Sequence, residues 1–241
     1  DSKDWIFEPK WDGTRCIAFV DCEKKSIRLQ NRRLLDISKR YPELKLFEDC
    51  NCRKVILDGE IVVLEHGKPS FYRLQEREHQ EDIERIELMS KLIPAIYMVF
   101  DILFLDGKAL ISLPLIERKC ILKEVVNESE RLINTLFVSK YGKKFFENAR
   151  EQGLEGIMAK HKASSYEIGK RSSNWLKIKS LDTMDCIICG YTIGKGKREG
   201  YFGSLVLGCY KDGKLLYLGN VGTGWDNTTI KYLYERLKKI R

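Results

Sequence analysis

The stretch EPKWDGTRCIAFVD, Glu8–Asp21, joins a stiff elbow to a strand. Pro9 fixes its own φ and biases Glu8 toward extended backbone. Asp12-Gly13 is a turn signal, and TRCIAFVD reads as a strand. Lys10 thus sits on a short rigid segment entering a sheet, with a carboxylate before it and an arginine after it. That setting suits a positioned side chain. Solvated charge around a turn is the alternative, and the rest of the chain must choose between them.

Working outward, strands alternate with helices up to about Lys179. Thr14–Asp21, Ser26–Gln30, Lys54–Leu64 and Ala95–Phe104 read as strands, the last two rich in Val, Ile and aromatics. Within VILDGEIVVL, Asp58 and Glu60 share one face at period two, which carries polar groups into a pocket. EGIMAK (Glu155–Lys160) reads as a short strand, and so does WLKIK (Trp175–Lys179), with Lys177 and Lys179 on one face. Helices are predicted over Ser70–Glu78, Asp82–Lys91, Leu115–Asn127 and Lys143–Gln152. A further helix is predicted to start at Pro42 and run into ELKLFEDC. From about Asp182 the texture changes. MDCIICGYTIG, YFGSLVLGCY and KLLYLGNVG are three strands with Gly- or Lys-rich connections, closed by a helix over Asn227–Lys239. The pattern predicts a mixed domain over 1–181 and a small β module over 182–241, with a linker near Ser180–Thr183.

The chain has 241 residues, 43% of them hydrophobic and 32% charged, as expected of a globular protein with a sizeable core. A net charge of +8 favours a polyanionic partner. Much of it lies in KYGKKFF, AKHKASSYEIGKRSSNWLKIK and GKGKREGYFG, where aromatics are interleaved, a composition that fits phosphate-backbone contact. No apolar run is long enough to span a bilayer and no leader precedes Asp1, so a soluble, cytoplasmic protein is expected. The eight cysteines lack a second C-x-x-C or a His pair to complete a zinc site, and are expected to be mostly small buried hydrophobes. No P-loop is present. GKGKREG connects two strands with no helix after it, so it reads as a basic turn. His66, His79 and His161 lack a nucleophile elbow.

What remains is a set of polar residues spaced through apolar strands: Lys10, Glu60, Glu155, Lys177 and Lys179. A carboxylate in such a strand needs a partner. KWDGTR, LDGEIVVL, YMVFDILFLDG, EGIMAK and WLKIK, in this order, resemble the sequential motifs of the covalent nucleotidyltransferases: ATP-dependent DNA ligases, RNA ligases and mRNA capping enzymes. K-x-D-G alone is weak; five motifs in order over nearly the whole chain are strong. GYTIGKGKREGYFGSLVLGCYKDGKLLYLGNVGTGW is similar to the start of a DNA ligase OB-fold. The ligases of bacterial and archaeal end-joining systems look nearest.

The resemblance implies an α+β fold: a nucleotidyltransferase (ATP-grasp-like) adenylation domain with antiparallel sheets and flanking helices, then an incomplete OB-fold β-barrel. It implies that Lys10 is the nucleophile that attacks the α-phosphate of ATP and holds AMP as a phosphoramidate. A free lysine is protonated at about pH 7.4, with a pKa of about 10.4. Attack therefore favours a site with nearby cations or desolvation. Lys177, Lys179 and a metal ion would supply that field and neutralise phosphate charge. By the same likeness Glu8 would lie at the adenine end, Arg15 near ribose or phosphate, and Phe100 against the base. A plain core aromatic is the other reading of Phe100. Glu60 would hold the ribose hydroxyl or a metal, and Glu155 a metal, with Mg²⁺ or Mn²⁺ suited to hard oxygen ligands. Arg32, chosen over Arg33 by counting back from DISKRYPEL, and Arg171 complete the implied nucleotide set. Asp12 and Gly13 are expected to shape the elbow.

In the later steps implied by the family, AMP passes to the 5′-phosphate of a break in duplex DNA, and the 3′-hydroxyl displaces it. The β module and Lys195–Arg198 would grip the duplex backbone. Three strands are too few to close an OB barrel. The second module is therefore expected to be truncated, with slow self-adenylation and comparatively better sealing of pre-adenylated nicks. The protein is expected to act as a monomer on nicked or broken duplex DNA, with an end-binding protein and a repair polymerase as candidate partners. The competing readings are an RNA ligase or capping-type enzyme, and a non-catalytic nucleic-acid-binding module. A NAD⁺-dependent ligase is disfavoured, because no nicotinamide-binding region precedes Lys10.

Overall fold

The computed structural model describes residues 1–170, 172–179 and 183–239. The chain divides into two compact units, Asp1–Ser180 and Leu181–Arg241. The first holds β1 (Trp5–Pro9), β2 (Thr14–Asp21), β3 (Ser26–Asn31), β4 (Lys54–Glu65), β5 (Lys68–Pro69), α1 (Phe71–Glu78), α2 (Ile83–Leu92), β6 (Ala95–Leu105) and β7 (Lys108–Ala109). It continues with α3 (Leu115–Val125), β8 (Leu132–Asn134), β9 (Val138–Ser139), α4 (Gly142–Glu151), β10 (Gly156–His161) and β11 (Trp175–Lys179). The second holds β12 (Ile187–Ile193), β13 (Phe202–Lys211), β14 (Lys214–Val221) and α5 (Asn227–Lys239).

Two sheets build the first unit. One has the order β11-β10-β1-β9, antiparallel throughout. The other runs β3-β2-β4-β6-β7, with β5 on β4 and β8 parallel to β6. The alternation in TRCIAFVD works as the sequence implies. Cys16, Ala18 and Val20 face a core with Leu29, Leu57, Ile61, Tyr97, Val99 and Leu122, while Arg15, Ile17 and Phe19 face the other way. A smaller cluster, Phe7, Ala149, Ile157 and Ala159, packs under α4. Since Phe7 faces α4, Glu8 projects from the opposite side of β1.

The helix starts follow their caps: the Ser70 side chain accepts from the Arg73 amide and the Asp82 side chain from the Arg85 amide. The helix expected after Pro42 does not form, and only a 3₁₀ turn, Leu46–Glu48, appears there. Leu44 and Leu46 are both buried, a spacing of two that a helix face cannot satisfy. Glu43 is also drawn away, its carboxylate pairing with Arg77 and accepting the Ala95 amide at 2.9 Å.

The cysteines depart from expectation as well. All eight are free, and only Cys16 and Cys50 are buried; Cys120, Cys186 and Cys189 are exposed. On α3 the buried positions are Leu115, Arg118, Lys119, Leu122 and Val125, which turns Cys120 outward.

In the second unit β12-β13-β14 form an antiparallel sheet, with Phe202, Leu205 and Ile230 as its core. GKGKREG is a short turn containing Gly196–Arg198, as the sequence suggests. The expected linker lies mostly outside the described residues.

Candidate active site

Strand order brings the separated motifs together. β1 pairs with β10 and β10 with β11, so the Lys10 elbow, Glu155 and the two lysines of WLKIK meet at one end of the four-stranded sheet. The Lys10 amide donates to the Gly156 carbonyl at 3.0 Å. Gly156 makes the approach possible: its φ is +150°, and a Cβ there would lie 2.1 Å from the Ile178 carbonyl oxygen. Gly13 does the same for the elbow, where a Cβ would lie 2.2 Å from the Ile61 carbonyl oxygen. The indole N–H of Trp11 donates to Thr135 Oγ1 at 3.0 Å and holds the elbow from the other side.

At the centre, Glu155 is ion-paired with both Lys10 and Lys179. Burial works to raise its pKa, but the two ammonium groups prevail and hold it below the usual carboxylate range. Lys177 titrates below its ordinary value through burial and through the charges of Lys10, Lys179 and Arg32. Lys10, Lys177, Lys179 and Arg32 therefore share one electropositive neighbourhood. Glu60 lies beside it. Burial pushes its carboxyl up to about 7, against the pull of Lys10.

A second group holds Arg15. Asp58, fully buried, accepts from Arg15 Nε at 3.1 Å and Nη2 at 2.7 Å, and from the Tyr166 hydroxyl at 2.7 Å. Arg15 Nη2 also donates to the Tyr166 oxygen at 3.2 Å. A cleft of about 1090 Å³ runs along this face, lined by Arg15, Arg32, Met158, Tyr166, Trp175 and Lys177 among others. Lys10, Glu8, Glu60, Phe100, Glu155 and Lys179 do not line it.

A third group is built on buried charge. Glu8 is ion-paired with Lys119 from α3 and, at 2.6 Å, with Lys160 from β10. Burial opposes its charge, but the two lysines hold its pKa below the ordinary value. The Lys160 ammonium sits 4.1 Å from the Phe100 ring centre and 4.0 Å from that of Trp175. The two rings meet edge to face at 6.0 Å. Asp101, next to Phe100, accepts from Arg118 Nε at 2.8 Å and Nη2 at 2.9 Å. The Arg118 guanidinium also donates to the Ser164 carbonyl at 3.1 Å.

The expected residues thus fall into neighbouring groups: Lys10, Glu60, Glu155, Lys177, Lys179 and Arg32; Arg15 with Asp58; Glu8 with Phe100. Arg171 lies outside the described residues. Sequence reasoning missed Asp58 as a site residue, and also Lys119, Lys160, Tyr166 and Trp175. Lysines inside EGIMAK and on the buried side of α3 were the available signals. Nothing in the sequence flags Tyr166. Among the described residues, no cluster of three or more His, Cys, Asp or Glu side chains could hold a metal ion, and no helix is long and apolar enough to cross a membrane.

The sequence profile of the ATP dependent DNA ligase domain matches residues 1–179. This chain belongs to the ATP-dependent DNA ligase family. Residues 198–241 match the ATP dependent DNA ligase C terminal region. The chain is 34% identical over 238 residues to the multifunctional non-homologous end joining DNA repair protein LigD of Mycobacterium tuberculosis, covering 98% of this chain and 29% of LigD. It is 31% identical over 256 residues to a DNA ligase of Pyrobaculum arsenaticum, covering 98% of this chain and 42% of that protein. It spans less than half the length of either relative. Among solved structures, the ligase domain of M. tuberculosis LigD superposes with a TM-score of 0.62 at 32% identity, over 96% of this chain and 71% of that one. A mycobacterial DNA ligase D complexed with ATP and MES gives a TM-score of 0.62 at 31% identity, over 98% of this chain and 72% of that one. The α+β fold with antiparallel sheets is the ligase fold, and the family's nucleotide is ATP.

Proposed function

We propose that the chain is the nucleotidyl-transfer core of an ATP-dependent DNA ligase that joins 5′-phosphate and 3′-hydroxyl ends at breaks in duplex DNA. The observation that carries this reading is the meeting of Lys10, Glu155, Lys177 and Lys179 at one sheet end. Lys10 Nζ is the nucleophile. In the resting state its ammonium is paired with Glu155, so the amine leaves that pair as it gives its proton up to solvent. It then attacks the α-phosphate of ATP, the bond to the β-phosphate breaks, and pyrophosphate departs with the electron pair. Lys177, Lys179 and Arg32 supply positive charge to the phosphates during transfer. Arg15 takes the ribose or phosphate, and Glu8 and Phe100 border the base. AMP then passes from Lys10 to the 5′-phosphate of the break, and the 3′-hydroxyl displaces it.

Glu155 and Glu60 both feel the charge of Lys10, and as hard oxygen donors they would hold a divalent cation together with water and phosphate oxygens. Two carboxylates without a full protein cage match Mg²⁺ or Mn²⁺, which take further ligands from water and phosphates. When bound, the cation adds charge stabilisation at the phosphates. The unit spanning Leu181–Arg241 contributes duplex binding through its basic turn. Arg198 is already committed there to the Gly203 and Gly222 carbonyls, which leaves Lys195 and Lys197 for phosphate contact. Repair by end joining, with an end-binding protein and a polymerase as partners, in the cytoplasm and as a monomer, completes the reading.

Intact mass after incubation with ATP and Mg²⁺ tests it. The native protein should gain one adenylate and Lys10→Ala none. Absence of the adenylate, together with failure to seal a pre-adenylated nick, would leave only a binding role.

A further inference from the structure

Tyr166 lies between EGIMAK and WLKIK, in a segment whose lysines and arginine draw attention by charge alone. Its hydroxyl has two partners at once: it donates to Asp58 Oδ2 at 2.7 Å and lies 3.2 Å from Arg15 Nη2 as acceptor. Asp58, with no exposed surface, therefore takes three hydrogen bonds, two from Arg15 and one from Tyr166. The Arg15 guanidinium is fixed at Nε and Nη2, while Nη1 makes no hydrogen bond among the described residues. Arg15 and Tyr166 both line the cleft. A guanidinium held at two nitrogens, with the third unbonded among the described residues, on a side chain that lines a cleft is prepared to bind an anion or hydroxyl of a ligand.

Tyr166 is itself firmly held. Its amide donates to the Ile111 carbonyl at 2.8 Å, and its ring meets Trp175 edge to face at 5.9 Å. The Arg118 guanidinium, anchored on Asp101, lies 5.9 Å from its ring centre. The phenol is thus placed by contacts other than Arg15, while the Arg15 guanidinium, with about 45% of its side chain exposed, lies 5.9 and 5.8 Å from the Phe100 and Trp175 ring centres and, among the described residues, donates its side-chain hydrogen bonds to Asp58 and the phenol.

We infer that Tyr166 is a positioning residue for nucleotide binding: its hydroxyl locks the Arg15–Asp58 fork so that Arg15 Nη1 meets ATP in the cleft. This rests on the ligase reading, in which Arg15 contacts ribose or phosphate. Tyr166→Phe removes the hydroxyl and keeps the ring, so the contact with Trp175 survives. The loss of one hydrogen bond predicts an effect of about three- to tenfold on affinity.

The test is calorimetric titration of the intact protein with α,β-methylene-ATP, which binds without losing pyrophosphate, for the native protein, Tyr166→Phe, Arg15→Ala and the double variant. Tyr166→Phe should raise Kd about three- to tenfold, and the double variant should bind no more weakly than Arg15→Ala, since the hydroxyl acts through the guanidinium. At saturating ATP the rate of self-adenylation in Tyr166→Phe should stay within about twofold of native, which separates ground-state binding from chemistry. An unchanged Kd, or effects of the two substitutions that multiply independently, overturns the inference while leaving the ligase reading intact. No nucleotide binding by the native protein overturns both.

Discussion

The amide of Lys10 donates to the carbonyl of Gly156 at 3.0 Å, and the side chains on either side of that bond, Lys10 and Glu155, are ion-paired. One backbone hydrogen bond between the elbow and the start of β10 thus fixes Lys10 against the carboxylate that accompanies it. The alignment depends on a residue with no side chain at position 156.

Gly156→Ala should therefore be costly for a backbone reason. A Cβ would meet the Ile178 carbonyl oxygen at 2.1 Å, at a φ that L-residues rarely adopt. A loss of about 2–4 kcal/mol is expected in denaturant unfolding. Self-adenylation should fall under conditions where the variant is still folded, since β11 must shift away from β10 and carry Lys179 with it. A variant with native stability would show that the two strands do not close as described.

Glu155→Gln removes the charge between Lys10 and Lys179. The pKa of Glu155 is depressed in the folded protein, so its contribution to stability is present above the unfolded-state value of about 4.5 and lost as pH falls through the lower folded value. Native stability should decline in that acid range more steeply than that of Glu155→Gln. Unfolding free energies measured from about pH 3 to 6 decide it; parallel curves would mean the pair contributes nothing measurable.

Glu60 gives the opposite sign. Its carboxyl is pushed up to about 7, so the folded state prefers the protonated form. The resulting stability is complete below the unfolded value of about 4.5 and is lost as pH rises through about 7. Glu60→Gln should leave stability nearly unchanged near pH 4 and raise it at pH 8, by a margin on the order of 3 kcal/mol at most. Equal stability of the two proteins at pH 8 would place Glu60 in a better-solvated setting than its burial implies.

The Asp101–Arg118 pair is completely buried. Arg118→Leu strands the carboxylate and should cost about 3–5 kcal/mol, whereas Arg118→Leu combined with Asp101→Leu should recover much of it. Because Arg118 also holds the Ser164 carbonyl and backs the Tyr166 ring, the double variant should still bind ATP more weakly than the native protein. Stability by chemical unfolding and affinity by titration, taken together, separate the two consequences.

Much of this protein is legible in its sequence. TRCIAFVD and Asn227–Lys239 form the elements their periodicity predicts, each with a buried side set by local spacing, and WLKIK forms its strand by pairing with β10 although Leu176 and Ile178 stay exposed. The ordered motifs pointed to the family and to Lys10, Glu155, Lys177 and Lys179 as a group. The strand Trp5–Pro9 and the turn at Leu46–Glu48 were not legible, since the first is buried on both faces and the second is shaped by Glu43 reaching Arg77 and Ala95.

The sequence by itself determined most of the local elements and the residue types available at the proposed site. Only the tertiary structure decided their partners. It joined Lys10 to Glu155 across 145 residues, Arg15 and Tyr166 to Asp58, and Glu8 to Lys119 and Lys160. The physical reason is that strand register and burial set those meetings. A charge taken out of water must find an opposite charge among whatever side chains the packed sheets place beside it, and no local pattern in the chain encodes which one that will be.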